Sequence, residues 1–461
     1  MSAKPIITRF APSPTGFLHM GGARTALFNH LFTKKLEGKV ILRIEDTDKI
    51  RSTPEYEASI IDSLKWLNIS YDQTFKQSER EEIYKKYLKK LIDEGKAYIS
   101  KETQAVEDPA IGKNGKDNSD FRSEVIRFKN PGKKVTFTDL IRGDITFDTT
   151  ELKDFVIAKS LEEPLYHLAV AVDDFEMGIT HVVRGDDHIS NTPRQILIQE
   201  AIGAPRPIYA HLPIILATDK SKLSKRKHGE AVSLNFYRDK GYIPEAIINF
   251  LALLGWNPGT DQELFSIGEL EKIFDISKVQ KGGAVFNTEK LDWINRQYIA
   301  KMTNDEFVTQ TEIYIPKWLN TSSVQFKKIL PLIKEKIICW SDIQKLFDRE
   351  GELSFIKDIS DYPASLLLWK KNPDPKASSK HLEAVRTLIE DIQDNNDSEF
   401  TVEVIKNAIW AYVETNGKGD VLWPLRVALT GKERSPDPFI SSSILGKAET
   451  LKRIDLALTK L

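Results

Sequence analysis

The segment from Ile6 to Asp46 constrains the fold more than any other part of the chain. "IITRF" reads as a short buried strand. "GGARTALFNHLFTKKLEG" then places Ala23, Ala26, Leu27, Leu31 and Leu36 at mostly helical spacing and closes on Gly38. "VILRIED" (Val40–Asp46) reads as a second strand, close to continuously apolar until its acidic end. A strand, a helix and a strand in that order form a crossover, which sets the two strands parallel in one sheet. The junction between strand and helix is "FAPSPTGFLHMGG", with a lone His19 followed by Gly21 and Gly22. Glycines at a helix start let a ligand approach the backbone, and the free N–H groups there favour anions such as phosphate. Taken alone, "HMGG" reads more simply as a tight turn bearing a surface histidine.

Further along, a helix is expected from about Pro54 with Thr53 as its N-cap, carrying Ile60, Ile61, Leu64 and Leu67 on one face. "SEREEIYKKYLKKLIDEGKAY" is amphipathic and ends at Gly95. From about residue 100 the texture changes. "EDPAIGKNGKDNSDF" is polar and turn-rich, and "VIRFKNPGKKVTFTDLIRGDITFD" alternates like strands with turns between. These residues read as a module that interrupts the first domain. The parallel pattern returns with "LYHLAVAVDD", "THVVRGDDH", the helix "NTPRQILIQEAIG" and "YAHLPIIL"; beyond residue 230 helical runs dominate.

Composition sets limits. A chain of 461 residues carries a prior of roughly three domains. The longest apolar run, near "AIINFLALLGW" (Ala246–Trp256), is well short of the ~20 residues of a spanning helix. The N-terminus lacks the pattern of a signal peptide. Cys339 is the only cysteine, which excludes an intrachain disulfide framework and a thiolate-rich metal cage. The expected compartment is the cytoplasm. With 66 basic and 67 acidic residues the chain is no polycation, so any nucleic-acid contact must rest on local positive charge.

Such charge is found in "TDKSKLSKRKHGE" (Thr218–Glu230), where five of the eight residues from Lys220 to Lys227 are Lys or Arg. The plainer reading is a solvated loop. The functional reading is a mobile cationic loop that neutralises a polyphosphate as its bonds change. This cluster and the His19 turn each follow a candidate strand of one sheet, and open parallel sheets bind ligands beyond the carboxyl ends of their strands.

"PSPTGFLHMGG" resembles the HIGH signature of class I aminoacyl-tRNA synthetases, and "KLSKR" resembles their KMSKS signature. Together with "ILRIEDTD", "YHLAVAVDDFEMGITHVVRGDDHISNTPRQ" and "PIILATDKSKLSKRKHG", the chain is similar to the bacterial-type glutamyl-tRNA synthetases over roughly residues 5 to 300. The resemblance implies an α/β Rossmann-type parallel-sheet catalytic domain at 1–85 and 166–230. It implies an inserted α+β module at 86–165 that binds the tRNA acceptor end. An all-α stem-contact region at 231–310 and an all-α anticodon-binding domain at 311–461 follow.

Site residues carry over by position. His19, Gly21, Gly22, Lys222, Lys225 and Arg226 fall in the ATP-binding signatures, with His19 and Lys225 in catalytic roles. Gly22 stands where HIGH has its second histidine, and Leu223 and Arg226 replace Met and the last Ser of KMSKS. Both departures are usual in the glutamate branch. Arg184 is implied as the partner of the glutamate side-chain carboxylate, for which arginine offers a planar bidentate fork. Arg9, Ser13, Glu45 and Tyr166 complete the implied amino-acid site, Glu45 answering the α-ammonium. Each has a plainer alternative: an ion pair between Arg9 and Glu45, a core position for Tyr166, a helix-capping role for Arg184.

The resemblance also implies ATP, Mg²⁺, L-glutamate and tRNA-Glu as cofactors and partners, a monomer, and no membrane. Some family members carry zinc in the inserted module, but residues 86–165 contain neither Cys nor His, so no structural zinc is expected. Basic stretches at Lys85–Leu91 and Pro424–Phe439 suit RNA, and Trp369 and Arg426 are candidates for base contact, with helix packing the alternative for Trp369. The two "RGD" tripeptides at Arg142–Asp144 and Arg184–Asp186 are not read as adhesion motifs. Ser441–Ser443 are expected to precede and cap a helix. Three other functions stay in view: an enzyme that also charges tRNA-Gln, a truncated relative that modifies a tRNA base, and a non-catalytic RNA-binding paralogue. The helical residues after 310 speak against the second. The presence of His19, Lys225 and Arg184 speaks against the third.

Overall fold

The crossover forms as read: β1 (Ile7–Phe10), α1 (Met20–Lys35) and β2 (Lys39–Ile44), with β1 and β2 parallel and Ile7 opposite Lys39. The structure is a computed structural model and describes residues 5–102, 124–359, 361–393 and 398–461, apart from the side chain of Lys225. Gly38 is needed where the chain turns back into β2, because a Cβ there would stand 2.3 Å from the Ile6 carbonyl oxygen. The chain divides into two units, 1–294 and 295–461.

In the first unit α2 (Pro54–Trp66) opens on Thr53, whose side chain accepts from the Tyr56 amide, and β3 (Gln73–Lys76) adds parallel to β2. After α3 (Glu81–Asp93) come β4 (Ala97–Lys101), β5 (Glu124–Phe128), β6 (Lys134–Asp139), β7 (Gly143–Asp148) and β8 (Phe155–Ala158). The turn-rich stretch Glu107–Phe121 lies outside the described residues. Next are α4 (Tyr166–Glu176), β9 (His181–Gly185), α5 (Thr192–Ile202), β10 (Ile208–Leu212) and β11 (Ile215–Leu216). The unit continues through α6 (Lys225–His228), α7 (Leu234–Asp239), α8 (Pro244–Leu253), α9 (Ile267–Ile273) and β12 (Ala284–Val285). The division between units falls inside the sequence of α10 (Thr288–Lys301).

Two ladders, β1-β2-β3 and β7-β6-β10-β9, meet at Thr180, whose amide donates to Ile7 O at 2.9 Å and whose carbonyl accepts from Ile208. From that seam the chain runs one way to β2 and β3 and the other way to β10 and β6. A parallel sheet that reverses its order in this way opens a crevice at the carboxyl ends of its strands. The core behind the sheet gathers Leu88 and Leu91 of α3, Leu168 and Val172 of α4, and Ile196 and Ile198 of α5.

The stretch 86–165 does not stay together as one separate sheet. β4, β5 and β8 form their own antiparallel sheet, but β6 pairs in parallel with β10, with Asp139 opposite Tyr209. The β6–β7 hairpin therefore extends the main sheet. The open edge of β10 needs a backbone partner, and the Phe137 ring meets Tyr209 edge-on at 5.2 Å. The boundary read at 85/86 falls within α3, and that at 310/311 within α11 (Asn304–Thr311).

The second unit continues with α12 (Val324–Lys336), α13 (Asp342–Phe347), α14 (Pro375–Glu390), α15 (Val402–Asn416), α16 (Lys418–Thr430), α17 (Pro438–Leu445) and α18 (Lys447–Leu458). Among its described residues there is no β-strand. Leu382, Val385 and Ile389 of α14 pack with Ile405, Ile409 and Val413 of α15 and Leu425 of α16, residues at the three- and four-residue spacing of helix faces. Ser441–Ser443 lie inside α17 and are buried, whereas Asp437 caps that helix by accepting from the Phe439 amide. Proline at the next position fixes the first turn earlier than the serines suggest. No helix among the described residues is long and apolar enough to cross a membrane.

Candidate active site

A cavity of about 420 Å³ lies where the two ladders part, at the carboxyl ends of β1, β2, β9 and β10. Its walls include Arg9, Ser13, His19, Gly21, Gly22, Glu45, Tyr166, Arg184 and Lys222. The volume falls within the range of small-molecule pockets.

Arg9 leaves the end of β1 buried, and its Nε donates to Asp174 Oδ1 at 3.1 Å. Glu45 follows β2, and its Oε1 accepts from Arg43 Nε at 3.3 Å and Nη2 at 3.1 Å. The ion pair weighed between Arg9 and Glu45 thus gives way to a longer chain, with Arg43 bridging Glu45 and Asp174. The Glu45 amide also donates to Pro12 O at 3.0 Å, which pins the "PSPTG" turn over β2. Burial pushes the Glu45 carboxyl above the usual range despite Arg43 and Arg9.

Arg184 is buried at the end of β9, and all its recorded partners are neutral. Nε donates to His211 Nε2 at 3.2 Å, Nη1 to Gln195 Oε1 at 2.7 Å, and Nη2 to Thr192 Oγ1 at 2.8 Å. A longer approach joins Nη2 to His188 O at 3.5 Å. Among the described residues no carboxylate pairs with Arg184 within 4.0 Å. Thr192 and His188 flank the start of α5, so the capping role is present in part, but the rest of the fork lies elsewhere. Of its five donors, four have partners, the one to His188 O at the long limit of a hydrogen bond, so the second Nη1 hydrogen stays open to a ligand and the weakly held Nη2 hydrogen can be drawn to one. Burial lowers the guanidinium below its ordinary value, and Arg9 adds to that. A buried guanidinium without an anion is costly unless a ligand supplies one. Tyr166 lines the same wall, its hydroxyl 3.0 Å from His188 Nδ1, and is no interior core residue.

His19 is the N-cap of α1, its Nδ1 accepting from the Gly22 amide at 3.0 Å. With Nδ1 used as acceptor, the neutral ring carries its proton on Nε2, which can donate to an oxyanion. The ring is exposed to the cavity but crowded by its walls. That crowding holds it below the usual histidine range, although Asp187 pulls the other way. A Cβ on Gly21 would stand 3.0 Å from His19 Nδ1, and one on Gly22 would stand 2.8 Å from Leu18 Cδ1. Leu18 is buried, so a larger residue at 22 would force it to move.

Lys222 and Leu223 reach the cavity, and Lys222 Nζ lies 3.8 Å from Asp187. Arg226 is exposed and is not among the cavity-lining residues. Lys225 opens α6, and its side chain lies outside the described residues. The loop between β11 and α6 is braced by Lys227 Nζ on Asp219 at 2.7 Å and by the Leu223 amide on Ile215 O. Among the described residues no group of three or more His, Cys, Asp or Glu side chains could hold a metal ion.

In the second unit the half-buried Trp369 packs against α16 at Gly419. A Cβ on Gly419 would come within 2.2 Å of the indole. Helix packing therefore accounts for this tryptophan. Arg426 is half-buried on the same helix.

Sequence reading missed Arg43, Asp174, His211, Asp139 and Gln195. The signal for two of them was present: an arginine inside "VILRIED" and two aspartates ending the apolar run "LAVAVDD" are charges on elements too apolar to be solvated.

Comparison with known proteins identifies the family. The family model for the catalytic domain of class I tRNA synthetases (E and Q) matches residues 5–107 and 111–293, and an anticodon-binding domain model matches 300–458. A glutamate–tRNA ligase of Thermodesulfovibrio yellowstonii is 42% identical over 97% of this chain and 98% of its own length. The corresponding ligase of Aquifex aeolicus is 41% identical over 98% and 99%. A crystal structure of a glutamate–tRNA ligase from Elizabethkingia meningosepticum in complex with its amino acid superposes with a TM-score of 0.84 at 32% identity, covering 99% of this chain and all of that one. The chain therefore belongs to the class I aminoacyl-tRNA synthetases, in the family of glutamate–tRNA ligases.

Proposed function

We propose that this chain joins L-glutamate to the terminal adenosine of tRNA-Glu in two steps driven by ATP. The observation that carries the reading is Arg184: a buried guanidinium at the end of a parallel sheet, with neutral partners and an open donor, lining the same cavity as the Glu45 carboxyl. Arg184 suits a carboxylate and Glu45 an ammonium. These are the two ends of an amino acid with an acidic side chain.

In the first step the α-carboxylate of glutamate attacks the α-phosphate of ATP, giving glutamyl-adenylate and releasing pyrophosphate. The protein's part is placement and charge. Arg184 and Glu45 fix the amino acid, the free N–H groups opening α1 and the Nε2 proton of His19 meet phosphate oxygens, and Lys225 neutralises the charge that develops as pyrophosphate leaves. In the second step the 2′-hydroxyl of the terminal adenosine attacks the adenylate carbonyl and AMP departs. No covalent enzyme intermediate is involved. Mg²⁺, carried on the phosphates of the nucleotide, would screen their charge.

The expected state is a cytoplasmic monomer without structural zinc, and the lack of Cys and His across 86–165 supports the last point. Charging of tRNA-Gln as well would make the same chemistry the first half of an indirect route to glutaminyl-tRNA. Glutamate-dependent exchange of labelled pyrophosphate into ATP, run with and without tRNA-Glu, tests the proposal. Exchange supported by glutamate but not by glutamine or aspartate is the expected result, and no exchange under either condition would refute it.

A further inference from the structure

Arg184 is held by a row of side chains across three neighbouring strands. His211 of β10 lies opposite Arg184 of β9 in the parallel register, and its ring is wholly buried. Its Nε2 accepts from Arg184 Nε at 3.2 Å, and its Nδ1 lies 2.7 Å from Oδ2 of Asp139 at the end of β6. The same Oδ2 accepts from the His211 amide at 3.0 Å, while Oδ1 accepts from the amides of Ile141 at 3.0 Å and Arg142 at 2.9 Å. Every acceptor site of this carboxylate is used. The Tyr209 ring lies parallel to the imidazole at 5.9 Å and Phe137 lies at 6.1 Å, so the hydrogen-bonded ring is also flanked by aromatic side chains.

The chemistry of the row follows from counting protons. A carboxylate only accepts, so His211 carries its proton on Nδ1 and presents a bare Nε2 lone pair to Arg184. The other tautomer would set an N–H against the Arg184 Nε–H. A carboxylate in the place of His211 would hold Arg184 equally well but would cancel its charge and compete with a substrate carboxylate. A neutral acceptor fixes the direction of the fork and leaves the charge for the ligand.

We propose that Asp139 and His211 are positioning residues for amino-acid recognition. Asp139 sets the His211 tautomer, and His211 aims the Arg184 guanidinium at the side-chain carboxylate of glutamate. This rests on the reading of Arg184 as the partner of that carboxylate.

The test is steady-state charging of tRNA-Glu at saturating ATP and tRNA, with glutamate varied, in the full-length enzyme. His211→Leu removes the acceptor, and KM for glutamate is expected to rise about 10- to 100-fold. The fall in kcat should be smaller, with KM for ATP moving by less than about three-fold. His211→Gln, which can offer an amide oxygen to Arg184, recovers most of that loss. Asp139→Asn can serve only one of the two donor pairs that Asp139 serves, and raises the same KM. In protein labelled with [15N]histidine, His211 should show an unprotonated Nε2. Arg184→Ala is the control for the underlying reading. If it leaves KM for glutamate unchanged, that reading fails. If it abolishes glutamate use while His211→Leu and Asp139→Asn match the wild type, the positioning role alone fails. Equal losses in His211→Leu and His211→Gln, or a parallel rise in KM for ATP, would mark a merely structural role and overturn the proposal. Should Asp139→Asn not fold, the His211 pair and the labelled spectrum decide.

Discussion

Arg43 Nη1 donates to Asp174 Oδ1 across 2.7 Å, and both side chains are buried. The same oxygen accepts from Arg9, so one carboxylate ties β2 and β1 to α4 directly beneath the cavity. Arg43 also holds Glu45, whereas Asp174 is the carboxylate recorded as the ion-pair partner of Arg9. Asp174→Asn would leave buried positive charge uncompensated, and we expect it to cost about 3–5 kcal/mol in the stability of the first unit. Burial alone would push the Asp174 carboxyl up, but Arg9 and Arg43 outweigh it and hold the group below its ordinary 3.8. A depressed carboxylate gives stability that is present above the unfolded-state pKa and is lost as pH falls through the folded value. Urea unfolding should therefore show a destabilised variant near neutral pH. The gap to the wild type should close only below about pH 3.8.

Glu45 has the opposite shift. Burial raises its carboxyl, so it takes up a proton at a higher pH than an ordinary glutamate does. Once protonated it no longer attracts an α-ammonium. KM for glutamate should rise as pH falls through that raised value, while the substrate's own side chain titrates near about 4.3. In Glu45→Gln the KM should be high, by about 10- to 100-fold, and nearly flat with pH down to the substrate's own titration. A wild-type profile that is equally flat would remove Glu45 from the site.

The contrast between these carboxylates shows what the sequence could and could not reveal. Spacing alone exposed the crossover, because alternating strand and helix periods are local properties. The signatures around His19 and Lys225 were visible as unusual residue types at element boundaries. The link from Asp139 through His211 to Arg184 was not legible, since it depends on β6 joining β10 rather than remaining with β5 and β8. Strand partners distant in sequence are chosen by edge pairing and packing, here Phe137 on Tyr209, and no local pattern encodes that choice. Trp369 was ambiguous for a related reason: only the fold shows that Gly419 lies under the indole.

Gly21 is expected to act through His19. A methyl group at 21 would crowd Nδ1 and the neighbouring ring carbon, at 3.0 and 3.1 Å, and disturb the bond to the Gly22 amide. Gly21→Ala should raise KM for ATP several-fold, with KM for glutamate nearly unchanged, in steady-state charging. A rise confined to glutamate would contradict the placement of phosphate near His19.

Lys225→Ala should slow adenylate formation by about 100- to 1,000-fold in single-turnover experiments, the scale of losing one positioned charge. Glutamate and tRNA affinities should remain close to wild type. A harmless substitution would show that another residue of the loop, such as Lys222, carries the transition-state charge.

The most direct measurement is charging of separately purified tRNA-Glu and tRNA-Gln with labelled glutamate and ATP. The account predicts glutamate on tRNA-Glu, lost in Arg184→Ala at low glutamate and strongly slowed in Lys225→Ala at any concentration. Label on tRNA-Gln as well would make the enzyme non-discriminating and leave the site chemistry intact. Label on neither, where a known ligase charges both preparations under matched conditions, would contradict the account and leave an RNA-binding protein with a disused catalytic fold.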